Sequence, residues 1–120
     1  MPRKVVLKKQ VVAKPESAKI LSSVPFESGF SFFTAVGNYT GITVISLDEF
    51  TTKLQIVPAE SVRFHFERKD FQKWIKDTIK DQELAEKING VIQGQSSENL
   101  RKEMLIIMQE RLAELRKLSI

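Results

Sequence analysis

The chain has 120 residues, with 19 Lys and Arg against 15 Asp and Glu, one His and no Cys. This length fits one domain, and 42% hydrophobic with 28% charged residues is the composition of a globular protein. The lack of Cys excludes disulfides, thiolate zinc sites and a cysteine nucleophile, while a single His leaves little room for a multi-His metal site. No apolar run approaches the roughly 20 residues of a membrane-spanning helix.

The positive charge is concentrated at the N-terminus. Residues 1–25 carry six basic residues against one Glu, a net charge of +5, whereas residues 26–120 carry 13 basic and 14 acidic residues, a net charge of −1. We therefore divide the chain into a basic arm over residues 1–25 and a single helical domain over residues 26–120. Because β-branched residues such as Val5, Val6 and Val11 favour extended structure, we expect the arm to be partly extended.

A basic arm on a nearly neutral domain is typical of a protein that contacts phosphate groups. We expect the arm to bind RNA, DNA or the ribosome, and we expect no membrane partner; the other interpretation is a solvated tail that aids solubility. The arm has no apolar segment of the kind found in a secretory signal, so we expect a cytoplasmic protein. The candidate phosphate contacts are Arg3, Lys4, Lys8, Lys9 and Lys14.

The first part of the domain is rich in aromatic residues, eight of the chain's ten Phe, Trp and Tyr lying between residues 26 and 66. Phe30, Phe32 and Thr34 alternate along the chain, which predicts one short strand, and the glycines at 37 and 41 are typical of turns. Ser46 and Glu49 match a capping box, in which the Ser side chain accepts from the Glu backbone N–H and the Glu side chain reaches back to the Ser46 N–H. This predicts a helix over about 47–56.

Residues 61–67 fit two structures. Val62, Phe64 and Phe66 alternate with polar residues as in a strand, but Val62 and Phe66 also have helical spacing, and Pro58 is suited to the first turn of a helix. We favour the helix, and the strand stays open as an alternative.

Three helices are predicted in the rest of the chain. Asp70 is the candidate N-cap of the first, whose apolar face includes Phe71, Trp74 and Ile79, so that Trp74 is expected to pack inward. Asp81 is the candidate N-cap of the second, which ends near residue 90, and the third covers about 98–118. The predicted fold is a mainly α domain of four to five helices, with a partly extended N-terminal arm and room for one short β element.

The last helix is apolar on every side over residues 104–108. In water such a stretch must be covered, either in the core of the monomer or by a protein partner or second copy of the chain. We favour the monomer core and keep a homodimer as the alternative.

The sequence contains no recognisable catalytic constellation. His65 is the only histidine, and acid–base work would need a carboxylate such as Asp70 beside it in a cleft. There is no nucleophile elbow and no P-loop. We therefore expect no enzymatic activity, no cofactor and no metal. A second basic group, Arg63, Arg68, Lys69 and Lys73, can position nucleic acid through phosphate contacts, and Arg63, Arg68 and Lys69 are its candidate site residues.

Four short motifs follow one another in a fixed order over residues 32–92. They are SLDEF at 46–50, SVRFH at 61–65, DFQKWI at 70–75 and DQELA at 81–85. In these motifs the chain resembles an uncharacterised domain family of archaea and bacteria, some members of which are associated with trehalose- or glycogen-type glycosyltransferases. The resemblance implies a mostly helical accessory domain, so regulation of such an enzyme is the alternative function. It assigns no role to the motif residues His65, Asp70 and Trp74.

Overall fold

The fold is a helical body carrying one β-hairpin, which confirms the predicted mainly α class. The computed structural model describes residues 16–119. Its elements are α1 (16–21), β1 (Phe30–Ala35), β2 (Asn38–Val44), α2 (Leu47–Leu54), α3 (Ala59–Arg68), α4 (Asp70–Trp74), α5 (Gln82–Asn89) and α6 (Ser97–Ser119).

The chain packs against the body from α1 onward. Ile20 is buried in the core, and the backbone N–H of Val24 donates to the Ile45 carbonyl at 2.8 Å. The segment from α1 to Val24, which the charge pattern assigned to the arm, therefore contacts the helical domain. The candidate arm contacts at residues 3–14 lie outside the described residues.

The hairpin is the element that the sequence predicted least completely. β1 and β2 pair antiparallel, Phe30 opposite Val44 and Ala35 opposite Asn38, with irregular register between. Gly37 occupies the connecting turn with a φ of +79°, as predicted, but Gly41 lies inside β2 with a φ of +88°. Such a φ is accessible to glycine and marks a bulge that bends the strand. The stretch predicted as two turns is therefore a turn followed by a strand.

Side chains alternate across β1, so the hairpin has a buried and an outer face. Phe30 and Phe32 point into the core, while Phe33, the next residue along, is half-buried. The buried face packs on α3. Gly29, just before β1, allows the chain to run close to the end of β2, because a Cβ there would lie 2.7 Å from the Val44 carbonyl oxygen.

The predicted helices α2 and α3 are both present. Ser46 accepts a hydrogen bond from the Glu49 backbone N–H at 3.1 Å, but the Glu49 carboxylate accepts from the N–H of Ile45 at 2.8 Å and not from that of Ser46. The predicted hydrogen bond to the Ser46 side chain is thus confirmed. The predicted hydrogen bond to the Glu49 carboxylate comes from the backbone one residue earlier than expected. Residues 61–67 lie within α3, so the helical interpretation is confirmed.

The predicted N-cap at Asp70 is wrong. The cap position before α4 is Lys69, which adopts a left-handed φ of +63°, and no side chain caps the helix there. The Asp70 carboxylate instead accepts hydrogen bonds from His65 and Arg68. The predicted helix continues beyond Trp74 but widens into a π-helical turn over Ile75–Ile79, ending at Lys80 with a φ of +71°.

A buried ion pair joins α5 to α6. Asp81 is the predicted N-cap of α5, accepting from the Leu84 N–H at 3.2 Å, and its carboxylate is only 1% exposed. Arg111 on α6 binds that carboxylate through two nitrogens, at 2.8 and 2.9 Å, and also contacts Glu83 and Glu114. This pair places the N-terminus of α5 against the middle of α6.

The long helix α6 lies along the body and buries one face. Met104 and Met108 are buried within the chain, which agrees with the monomer-core interpretation, while Ile106 remains 53% exposed. Whether a second copy covers Ile106 stays a prediction. Among the described residues, no helix combines the length and apolarity needed to cross a bilayer.

We predict that Arg111→Met destabilises the fold by about 3–5 kcal/mol, because the Asp81 carboxylate would remain buried without its partner. The matched control is Arg116→Met, which removes an exposed ion pair with Asp48 and should cost roughly 0–1 kcal/mol. Urea unfolding of the two variants measures the difference. Equal destabilisation by both substitutions would show that the Arg111–Asp81 pair has no special role in stability.

Candidate functional site

A histidine bridge connects the hairpin to the helices. The Nε2 atom of His65 on α3 accepts a hydrogen bond from the backbone N–H of Phe33 on β1 at 2.8 Å. The Nδ1 atom lies 2.8 Å from an Asp70 carboxylate oxygen. Because Nε2 accepts, the ring proton must sit on Nδ1 and be donated to Asp70, so the imidazole is neutral. Both ring nitrogens are therefore occupied.

The surroundings of His65 keep it neutral. The side chain is 5% exposed, and its ring contacts those of Phe30, Phe32 and Phe71. Burial lowers the pKa of His65 below its ordinary value; the hydrogen bond and negative charge of Asp70 oppose this shift, and the Arg68 charge adds to it. Protonation would also add a hydrogen to Nε2. The Phe33 N–H would then face another donor, and the hydrogen bond between them would be lost.

Asp70 connects this buried bridge to the surface. Its carboxylate is 23% exposed and accepts both from His65 Nδ1 and from Arg68 Nε at 3.0 Å. The Arg68 guanidinium also lies over the Phe64 ring, 4.8 Å from its centroid, in a cation–π contact. Two contacts thus fix the orientation of Arg68 although its side chain is 53% exposed.

Trp74 holds the other end of the hairpin. Its indole N–H donates to the Ser28 carbonyl at 2.8 Å, just before β1, and its ring stacks on Phe50 with 5.6 Å between centroids. Trp74 is 8% exposed, which confirms that it packs inward. The three motif residues to which the resemblance assigned no role, His65, Asp70 and Trp74, therefore share a structural role. Together they attach β1 to the helices.

An open cleft of about 590 Å³ lies over this attachment. Phe30, Phe33, Phe64 and Trp74 form its aromatic surfaces. Charged and polar side chains surround them: His65, Arg68, Asp70, Lys73, Asp77, Thr78 and Ser31. Its volume lies within the range of small-molecule pockets, and its mixture of aromatic walls with a few polar groups is typical of them.

A smaller groove of about 330 Å³ between α4 and α5 is lined by Lys69, Lys73 and Lys76. Lys69 donates to the neutral side chain of Asn89 at 3.0 Å, and within residues 16–119 none of these three ammonium groups forms an ion pair. Glu86 is the one acidic residue in the lining. Lys73 lines the groove and the aromatic cleft alike, so the two surfaces adjoin.

The predicted second basic group is only partly assembled. Arg68 lies in the cleft and Lys69 in the groove, but Arg63 lines neither. Its guanidinium donates to Ser97 Oγ at 3.1 Å and to the Gln95 carbonyl at 3.0 Å, so it joins α3 to the first residue of α6 and to the loop before it. Lys73, which was also predicted for this group, lines both surfaces, whereas Lys76 lines the groove without having been predicted as a contact; its helical spacing from Lys69 and Lys73 was the available signal.

The chemistry of the site follows from these contacts. His65 and Asp70 lie side by side, as acid–base catalysis would need, but His65 is buried among phenylalanines and both its nitrogens are engaged. In this arrangement the imidazole is a structural bridge and not a base facing a substrate. Across residues 16–119, no group of three or more acidic or histidine side chains could hold a metal ion.

The molecule is thus a helical domain with an attached hairpin, an aromatic cleft and a basic groove. Its C-terminal part, residues 67–120, matches the model of a family of unknown function, DUF5752. This confirms the predicted resemblance to an uncharacterised family, over a range that includes the motifs at 70–75 and 81–85. No curated protein and no solved structure matches the chain. The glycosyltransferase association stays a prediction.

The lowered pKa of His65 predicts a pH dependence of stability. The folded protein binds this proton less readily than the unfolded chain, so the stabilisation is fully present above the unfolded pKa of roughly 6.5 and is lost as the pH falls below it towards the folded pKa. We expect the free energy of unfolding to fall by up to about 1.4 kcal/mol per pH unit in this window.

Urea unfolding between about pH 7.5 and about pH 5.5 measures this effect, since His is the only side chain whose ordinary pKa lies there and the chain has one. The control is His65→Gln, which we expect to be less stable than the parent but nearly independent of pH. A parent protein whose stability does not change over this range would contradict the neutral, buried imidazole.

Proposed function

We propose that the protein is a non-enzymatic module that binds nucleic acid, free or within a ribonucleoprotein such as the ribosome. In this proposal the basic N-terminal arm and the lysine-lined groove between α4 and α5 contact phosphates. A cytoplasmic location is part of the proposal, because the proposed partners include the ribosome.

The observation that carries the proposal is the set of uncompensated charges on one surface. Lys69, Lys73 and Lys76 converge on one groove without an ion pair in the described chain, and Arg68, which is paired with Asp70 through Nε, stands beside them in the cleft. Elsewhere on the helices, Lys87, Arg101, Arg111 and Arg116 pair with carboxylates, and the other lysines of the described residues that lack an ion pair do not line this groove. Unmatched cations attract polyanions, because binding releases the counterions condensed on the phosphates.

The arm adds to the same argument through its charge. Residues 1–25 carry a net charge of +5, so the whole chain is basic although the body is slightly acidic. Phosphate contacts of this kind position a protein on nucleic acid without reading its sequence. The engaged ring nitrogens of His65 support a binding role over a catalytic one.

Binding of a fluorescent RNA of about 16 nucleotides, followed by anisotropy from about 50 to about 200 mM salt, tests the proposal. Deleting residues 1–14 should weaken binding and reduce the slope of log affinity against log salt by about 0.7 for each phosphate that the arm neutralises. The triple variant Lys69→Gln, Lys73→Gln, Lys76→Gln should reduce this slope by roughly 2.

The matched control is Lys19→Gln, Lys102→Gln, Lys117→Gln, which removes the same charge from exposed lysines outside the groove. If the control weakens binding as much as the groove variant, net charge alone acts and the groove has no role. If the full chain does not bind RNA or DNA at low salt, the proposed function is wrong. Copurification with a glycosyltransferase and without nucleic acid would favour the alternative, an accessory domain of that enzyme.

A further inference from the structure

We propose that the aromatic cleft accepts one unstacked nucleobase, with the adjoining phosphate on Arg68 and Lys73, so that the protein prefers single strands to duplexes. This inference rests on the proposed function and adds to it a ligand class and a site. Phosphate contacts through the arm and groove do not require it, so the two can fail separately.

The walls of the cleft suit a flat aromatic ring. Phe30 and Trp74 are almost fully buried and form the floor, whereas Phe33 and Phe64 are half-buried, and the Arg68 guanidinium covers one face of Phe64. Bases of single-stranded nucleic acids stack on such exposed aromatic rings, and every base has a face that can do so. The site is fixed in place because Phe33 belongs to the strand held by His65.

Arg68 is oriented before any ligand arrives. Its Nε is held by Asp70 and its guanidinium rests on Phe64, while within residues 16–119 no hydrogen bond is made by either of its terminal nitrogens. An arginine with two such nitrogens side by side matches the oxygens of a phosphate. The cation therefore covers one face of Phe64 and stands in the same cleft as the half-buried Phe33 ring, so a base stacked on Phe33 can place its own phosphate on Arg68.

Lys73 connects the cleft to the groove. It lines both surfaces, and Lys69 and Lys76 continue the positive charge away from the cleft. A strand that places one base in the cleft can therefore set neighbouring phosphates on the groove lysines. Hydrogen-bonding groups for the edge of the base come from Ser31, Asp77 and Thr78.

A duplex cannot use this site in the same way. Its bases are stacked and paired, and a base must leave the stack before a protein cleft can enclose it. The expected preference is therefore for single strands, with a contribution from stacking that vanishes when the base is absent.

The test compares four ligands by anisotropy with the full chain: a single-stranded RNA of about 16 nucleotides, its duplex, an abasic strand of equal length and free AMP as a competitor. We expect the single strand to bind about tenfold more tightly than the duplex or the abasic strand. The variants Phe64→Leu and Arg68→Gln should each lose most of that preference. Their controls are Phe26→Leu, at an exposed ring outside the cleft lining, and Arg116→Gln.

The base site in the cleft would be overturned if the single strand, the duplex and the abasic strand bound with equal affinity and Phe64→Leu had no effect. Salt-dependent binding through the arm and groove could still hold in that case. Failure of every strand to bind would overturn the proposed function as well. If AMP at millimolar concentration occupies the cleft but the abasic strand binds as well as the intact one, the site belongs to a free nucleotide and the preference for strands is wrong. Phe33→Leu is a second variant in case Phe64→Leu fails to fold.

Discussion

The bridge from Asp70 through His65 to the Phe33 backbone is the contact on which the rest of the structure depends. A two-stranded hairpin is marginally stable alone and leaves unpaired groups along its edges. Here the edge of β1 is bound by side chains, since His65 accepts the Phe33 N–H and Trp74 donates to the Ser28 carbonyl. Side chains of the helices thereby bind backbone groups at and just before β1, and the Phe30 and Phe32 rings are buried in the core.

The same bridge defines the surface that we assign to function. The Asp70 carboxylate accepts a hydrogen bond from the buried His65 imidazole and a second one from Arg68. One carboxylate therefore contacts both a core side chain and a surface cation. The aromatic walls of the cleft come from the two elements that the bridge joins, Phe33 from β1 and Phe64 from α3. The motif residues His65, Asp70 and Trp74 thus support the cleft from below, while Arg68 and Lys73 line it with positive charge.

Sequence patterns predicted what depends on neighbours along the chain. Helical periodicity placed α6, while Pro58 and the spacing of Val62 and Phe66 favoured a helix at α3. The caps Ser46 and Asp81 act as local rules require. Contacts between distant residues were beyond such patterns. The hydrogen bond between His65 and Phe33 joins residues 32 positions apart in the sequence, and that between Arg111 and Asp81 joins residues 30 positions apart. Asp70 was predicted as an N-cap, but its carboxylate accepts hydrogen bonds from His65 and Arg68 instead. The strand β2 was not predicted because Gly41, which was assigned to a turn, lies at a bulge within the strand.

Nitrogen NMR of the single histidine tests the central claim most directly, because the chemical shifts of the two ring nitrogens report which one carries the proton. With the chain's only imidazole labelled, we predict the neutral tautomer protonated on Nδ1 at neutral pH, with Nε2 unprotonated and a hydrogen-bond coupling between Nε2 and the Phe33 amide. A ring protonated on Nε2, or a cationic ring at that pH, would contradict the bridge and with it the attachment of the hairpin.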